Sequence, residues 1–150
     1  MSIANTANAT SAGAQKTLTV RTKHVREWMS ADPVTVLPTT HVSEAYQLMQ
    51  ERHIRRLPVV EGGNLIGIVT LGDLRSKGAD ADTDEVKRLR VDSVVHLNPI
   101  TVTPDTPLRD AAKLMIKHKI SGLPVMTAIG LAGIITESDI FRALVADESL

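Results

Sequence analysis

Residues 67–73, Gly67-Ile68-Val69-Thr70-Leu71-Gly72-Asp73, return 66 positions later as Gly133-Ile134-Ile135-Thr136-Glu137-Ser138-Asp139. In both places an apolar run ends in Thr-x-x-Asp, which is how a buried strand would hand over to a helix. Extending the same shift outward aligns Pro33–Leu74 with Pro99–Ile140 without a gap, and 17 of the 42 columns are identical. That agreement makes two copies of one supersecondary unit the economical reading of the chain.

Each copy has the same internal grammar. PVTVLP (33–38) and PITVTP (99–104) are β-branched segments bounded by proline, so brief strands near a sheet edge are expected. Thr40, and Thr106 with Pro107 after it, read as helix N-caps. Behind them Val42, Ala45, Leu48 and Met49, matched by Leu108, Ala111, Leu114 and Met115, recur at three, four and seven, the stripe of a helix buried on one face. Two apolar segments follow, LPVV and LIGIVT in the first copy, LPVM and LAGIIT in the second. They are separated by Glu61-Gly62-Gly63-Asn64 and Thr127-Ala128-Ile129-Gly130, hairpin connections that supply glycine where φ must be positive. A second helix starts after Thr70 and after Thr136. The expected class is α+β: two pseudo-symmetric β-α-β-β-α units packed face to face on a shared core, with equivalent clefts along the seam, where small ligands are preferentially held.

The divisions expected are a disordered tail over 1–20, a first unit over 21–78, a charged linker over 79–90 and a second unit over 91–147. The linker runs from acidic (Asp80, Asp82, Asp84, Glu85) to basic (Lys87, Arg88, Arg90), an order that suits a short helix. Trp28 lies in residues 25–29, a turn or helix ahead of the first strand whose counterpart is residues 91–95, and it is read as an interface residue.

Composition excludes several functions. The 150 residues carry 17 basic and 17 acidic side chains and one each of Trp, Tyr and Phe, so neither the cationic footprint nor the aromatic platforms of a nucleic-acid binder are present. With no cysteine there is no disulfide, thiolate metal site or cysteine nucleophile, which fits a cytoplasmic protein. No apolar run approaches the ~18 residues of a membrane span, and residues 1–16 lack the basic start and apolar centre of a signal peptide. Asn8-Ala9-Thr10 is therefore a chance match to a glycosylation acceptor. His24, His41, His53, His96 and His118 show no metal spacing, so no metal is expected and the histidines are assigned surface or structural roles. Nucleophile-elbow, phosphate-loop and dinucleotide glycine patterns are absent, which argues against catalysis.

Duplicated units of this order, each with Leu-Pro-Val before the hairpin and Gly-Ile-hydrophobic-Thr-x-x-Asp after it, resemble the tandem CBS domain, the cystathionine β-synthase motif pair or Bateman module, over residues 22 to 147. The resemblance is to the small stand-alone bacterial members. It implies a regulatory sensor with an adenosine-containing ligand (AMP, ADP, ATP or S-adenosylmethionine) between the paired units and no further cofactor. It also implies a homodimeric disc of CBS units and output to a separate effector chain.

Residue by residue, the resemblance places the ribose on Asp73 and Asp139, the sugar or phosphate on Thr70 and Thr136, and the base near Thr35, Val36, Arg55 and Arg56 in the first copy and Thr101, Val102, Ser121 and Gly122 in the second. The chemistry agrees: a carboxylate accepts two hydrogen bonds from a cis-diol, a helix start offers N–H groups to phosphate, and the arginine fork matches phosphate. Where the first copy has Arg55-Arg56 the second has Ser121-Gly122, so unequal clefts are expected. The better one joins Thr70, Asp73, Arg55 and Arg56 to Thr101, Ser121 and Gly122; the weaker joins Thr136 and Asp139 to Thr35 and Lys119. Two alternatives stand beside this: Thr-x-x-Asp is also a capping-box variant, and the whole module could be a structural or protein-interaction unit with vestigial, empty clefts.

Overall fold

A computed structural model describes residues 22–81 and 83–147; the expected tail over 1–20, Asn8 and Asp82 lie outside them. The first hairpin is β2 (Arg56–Glu61) and β3 (Asn64–Thr70), and its copy is β5 (Gly122–Thr127) and β6 (Gly130–Thr136). Gly62 and Gly63, at φ 59° and 81°, close the first through a two-residue turn of the type that matches strand twist. Both registers shift at one equivalent point, between Val59 and Val60 and between Val125 and Met126.

Helix α2 (Val42–Arg52) buries Val42, Ala45 and Met49, and α5 (Leu108–His118) buries Leu108, Ala111 and Met115, as the spacing predicts. The helices end on His53 and Lys119, both left-handed at φ 55°. They begin one residue later than Thr40 and Thr106 imply. Those hydroxyls instead accept, at 3.0 Å, from the N–H of Leu37 and Thr103 and close the preceding turn. The first helical N–H groups are satisfied from a distance, Val42 N–H by Leu89 O and Leu108 N–H by Lys23 O. Helices α3 (Leu71–Ser76) and α6 (Glu137–Val145) follow the Thr-x-x-Asp motifs, and the charged linker holds α4 (Asp84–Arg88), which buries Val86.

The expected strands at PVTVLP and PITVTP shrink to single parallel bridges, Val36 to Val59 and Val102 to Val125. Proline flanks each segment and donates nothing to a ladder, so one residue docks on each hairpin. The third strand of each sheet comes from the other half. Helix α1 (Val25–Trp28) leads into β1 (Ser30–Ala31), which pairs with β6, while the 3₁₀ turn Val91–Ser93 leads into β4 (His96–Leu97), which pairs with β3. The sheets therefore run β2-β3-β4 and β5-β6-β1. Asp32 and Asn98, 66 residues apart, both turn at positive φ, which short polar side chains tolerate.

In place of one shared core there are two, one under each sheet. Val36, Val42, Ala45, Met49, Leu57, Val59, Val69, Leu74 and Val91 form the first; Val25, Val102, Leu108, Ala111, Met115, Leu123, Val125, Ile135 and Ala143 form the second.

Candidate functional site

Thr70 ends β3 and caps α3. Its Oγ1 accepts from Asp73 N–H at 3.2 Å, and Asp73 Oδ2 accepts from Thr70 N–H at 2.8 Å, so the capping box is real. The other carboxylate oxygen, Oδ1, faces away from the cap and lies 2.9 Å from His96 Nε2 on β4. Burial alone would push this carboxyl up, but hydrogen bonds from His96 and Thr70 outweigh burial and hold it below the ordinary aspartate value. The helix start offers less to a phosphate than the sequence implies, because Leu71 N–H is already bonded to Arg55 O at 2.7 Å and Asp73 N–H is held by the cap.

A cleft of about 680 Å³ opens between the halves beside this motif. Its walls carry Thr70, Leu71, Gly72, Arg75, Arg55 and Arg56 from the first half, His96, Asn98 and Ile100 from the segment joining the halves, and Lys119, Ser121 and Gly122 from the second half. Hairpin register sets Arg56 directly opposite Thr70. Across the seam Arg56 donates to Ser121 Oγ and lies over Gly122, where an added Cβ would come within 2.5 Å of Arg56 Cδ. Four permanent cations, Arg55, Arg56, Arg75 and Lys119, thus share one cleft wall. Asp73 is not itself on the lining; His96 is, and it holds Asp73.

The pseudo-equivalent cleft, about 560 Å³, is lined by Thr136 and Ser138, by residues 30–34, by Arg52, His53 and Ile54, and again by Arg55 and Arg56. Its aspartate is placed differently. Asp139 is 6% exposed, its Oδ2 accepts from Thr136 N–H (2.8 Å) and Oγ1 (3.1 Å), and its Oδ1 is taken by Arg142 of its own helix. Arg142 also stacks on Trp28, 5.7 Å from the ring centroid. One aspartate is therefore held by a histidine brought from another segment, the other by a guanidinium pinned against an indole.

Several sequence-assigned residues sit elsewhere. Val36 and Val102 are core residues and Thr35 and Thr101 are exposed; none of the four is on a cleft lining, where their neighbours Val34 and Ile100 stand. Lys119 lines the cleft of Thr70 and not that of Thr136, where its repeat counterpart His53 stands. Arg55 and Arg56 border both clefts, where the sequence gives arginine to one. His96, Arg75 and Asn98 were not singled out. Carrying the 66-residue repeat back to the segments before Pro33 and Pro99 aligns His96 with Ser30 as equivalent positions, but which sheet each joins is set by strand pairing alone. Among the described residues no cluster of three or more His, Asp or Glu could hold a metal, and no helix is long and apolar enough to cross a membrane.

Residues 25–80 and 91–146 each match the CBS domain. A CBS domain-containing protein of Dictyostelium discoideum is 35% identical over 131 residues, spanning 81% of this chain and 90% of its own length. The inosine-5′-monophosphate dehydrogenase of Korarchaeum cryptofilum is 37% identical over 120 residues, but the chain spans only 24% of its length. The CBS domain pair of the protein MJ0100, solved with 5′-methylthioadenosine and S-adenosyl-L-methionine, superposes with a TM-score of 0.74 at 28% identity, covering 83% of this chain and 98% of that one. CBSX2 of Arabidopsis thaliana, solved with AMP, superposes at 0.71 with 29% identity, covering 81% and 96%.

Proposed function

The chain belongs to the CBS domain family as a tandem pair, and from that premise we propose that it is a regulatory module binding an adenosine-containing ligand in the cleft of Thr70 and Asp73. One observation carries the reading: Asp73 divides its oxygens, Oδ2 capping α3 and Oδ1 turned to His96 at the cleft. A ribose cis-diol displaces His96 and takes Oδ1, so the nucleoside is recognised by a carboxylate already fixed by the fold. Both solved relatives hold adenosine derivatives, which supports the class. Four cations on the wall favour AMP, ADP or ATP over the sulfonium of S-adenosylmethionine.

The module acts by binding and not by catalysis, and a ligand shifts its packing only through unequal affinity for two arrangements. Its output passes to a second copy of the chain or to an effector protein. Exposed Ile116, Phe141, Leu144 and Val145 on α5 and α6 give a homodimer an apolar face.

The test is calorimetric titration with AMP, ADP, ATP and S-adenosylmethionine, with light scattering alongside. The nucleotides are expected to bind, and Asp73→Ala to abolish binding in this cleft while the circular dichroism spectrum is kept. Absence of heat with all four at millimolar concentration sinks the reading. The second reading, a structural module with an empty cleft, is favoured only for the half in which Arg142 holds Asp139 Oδ1.

A further inference from the structure

The two clefts share a wall. Arg55 and Arg56 border both, and they occupy the positions that the repeat relates to Ser121 and Gly122. Glycine at 122 is what admits the Arg56 side chain across the seam: its stem covers the glycine, where a Cβ would stand 2.5 Å from Cδ and 2.6 Å from Nε, and its guanidinium donates to Ser121 Oγ. The site is thus asymmetric by construction, one half contributing a bulky cation and the other the gap that receives it. Burial pushes the Arg56 guanidinium below its ordinary value, and Glu137 and Asp139 of the second Thr-x-x-Asp motif offset only part of that. Arg56 is thus a cation common to both walls, tied to Ser121 between them.

We propose that Arg56 couples the two clefts, so that an anionic ligand held in one weakens the binding of an anion in the other. The proposal rests on the ligand reading above. A phosphate in the first cleft draws the Arg56 guanidinium toward it. The second cleft, whose wall sets Asp32 beside Arg52 and Arg55, then loses one of its cations and holds a phosphate less tightly. Arg75 and Lys119 also stand on the wall of the first cleft, so it is the tighter of the two and fills first. The coupling is reciprocal in free energy, and couplings of this kind typically amount to about 5- to 150-fold.

Calorimetric titration of the intact chain with AMP measures it, using wild type, Asp73→Ala to silence the first cleft, and both again with Arg56→Ala. The second cleft is expected to bind AMP about fivefold or more tightly when the first is silenced than as the second step in wild type. Arg56→Ala is expected to erase that difference, and Arg56→Lys, which keeps charge without the fork, to reduce it. One equivalent bound by wild type and one by Asp73→Ala supports the coupling, as its extreme, when the two affinities differ, and overturns the ligand reading when they are equal. Equal second-cleft affinities in wild type and Asp73→Ala overturn it and leave the ligand reading standing, as does one equivalent in wild type with none in Asp73→Ala. Two equivalents retained by Asp73→Ala, or no heat in any titration, overturn the ligand reading and the coupling with it.

Discussion

A single carboxylate shows how one residue serves fold and site. Asp73 caps α3 through Oδ2 and is held by His96 through Oδ1, so ligand and histidine compete for one atom. His96→Ala is expected to tighten AMP binding roughly fivefold at neutral pH, since a hydrogen bond of about 1 kcal/mol no longer has to be displaced; titration of the variant checks this, and unchanged or weaker affinity argues that His96 contacts the ligand instead. The same carboxylate has a pH signature. Its folded-state value lies below the ordinary 3.8, so its contribution to stability is present above that value and is lost as pH falls through the lower folded one. Thermal unfolding of wild type and Asp73→Asn is expected to differ in favour of wild type at pH 6, with the gap closing as pH drops below 3.8. Asp73, Arg55 and Arg56 were legible in the sequence because motif and repeat mark them. His96 was not, since nothing local ties it to a residue 23 positions earlier; only strand pairing does.

Among the elements, the close approach of the exchanged strands is set by glycine. A Cβ at Gly67 would stand 2.2 Å from His96 O, and one at Gly133 would stand 2.6 Å from Ser30 O, both backbone atoms that cannot swing aside. Gly67→Ala is therefore expected to lift β4 from β3 and cost about 1–3 kcal/mol. Gly72→Ala, whose nearest neighbour would be Thr70 Oγ1 at 3.8 Å on a helix, is expected to be neutral or to gain up to about 1 kcal/mol. Urea denaturation of the two variants separates these outcomes. The helices and hairpins were readable because each is specified by period and turn chemistry over a dozen residues. Helix starts were less so: Thr40 looked like a cap by type, yet its hydroxyl found the Leu37 N–H, and the carbonyl of Leu89 took over the helix end.

At the scale of the whole molecule, the halves of the sequence are not the halves of the structure. Val25 lies in the second core and Val91 in the first. A fragment spanning 33–97 contains β2, β3, β4 and every buried residue of the first core, whereas one spanning 22–88 lacks β4 and Val91 and exposes Val25 and Trp28. The first is expected to melt cooperatively by circular dichroism and the second to show no transition; the reverse result overturns this division. The repeat was plain in the sequence, but the crossing was not, because exchanged and unexchanged strands present the same residues to the same pleat. Trp28 packs against the second core and Tyr46 against the first, so the chain carries one native fluorophore on each.

Ser30 pairs with Ile134, more than a hundred residues downstream, while Ile68 pairs with His96 close at hand. On the ribosome the first sheet can close as soon as its own stretch has emerged, but α1 and β1, made before it, stay unpartnered until β6 has been added. The stretch ahead of the first sheet is thus held back as the piece that completes the second, and synthesis halted before β6 leaves α1 and β1 bare.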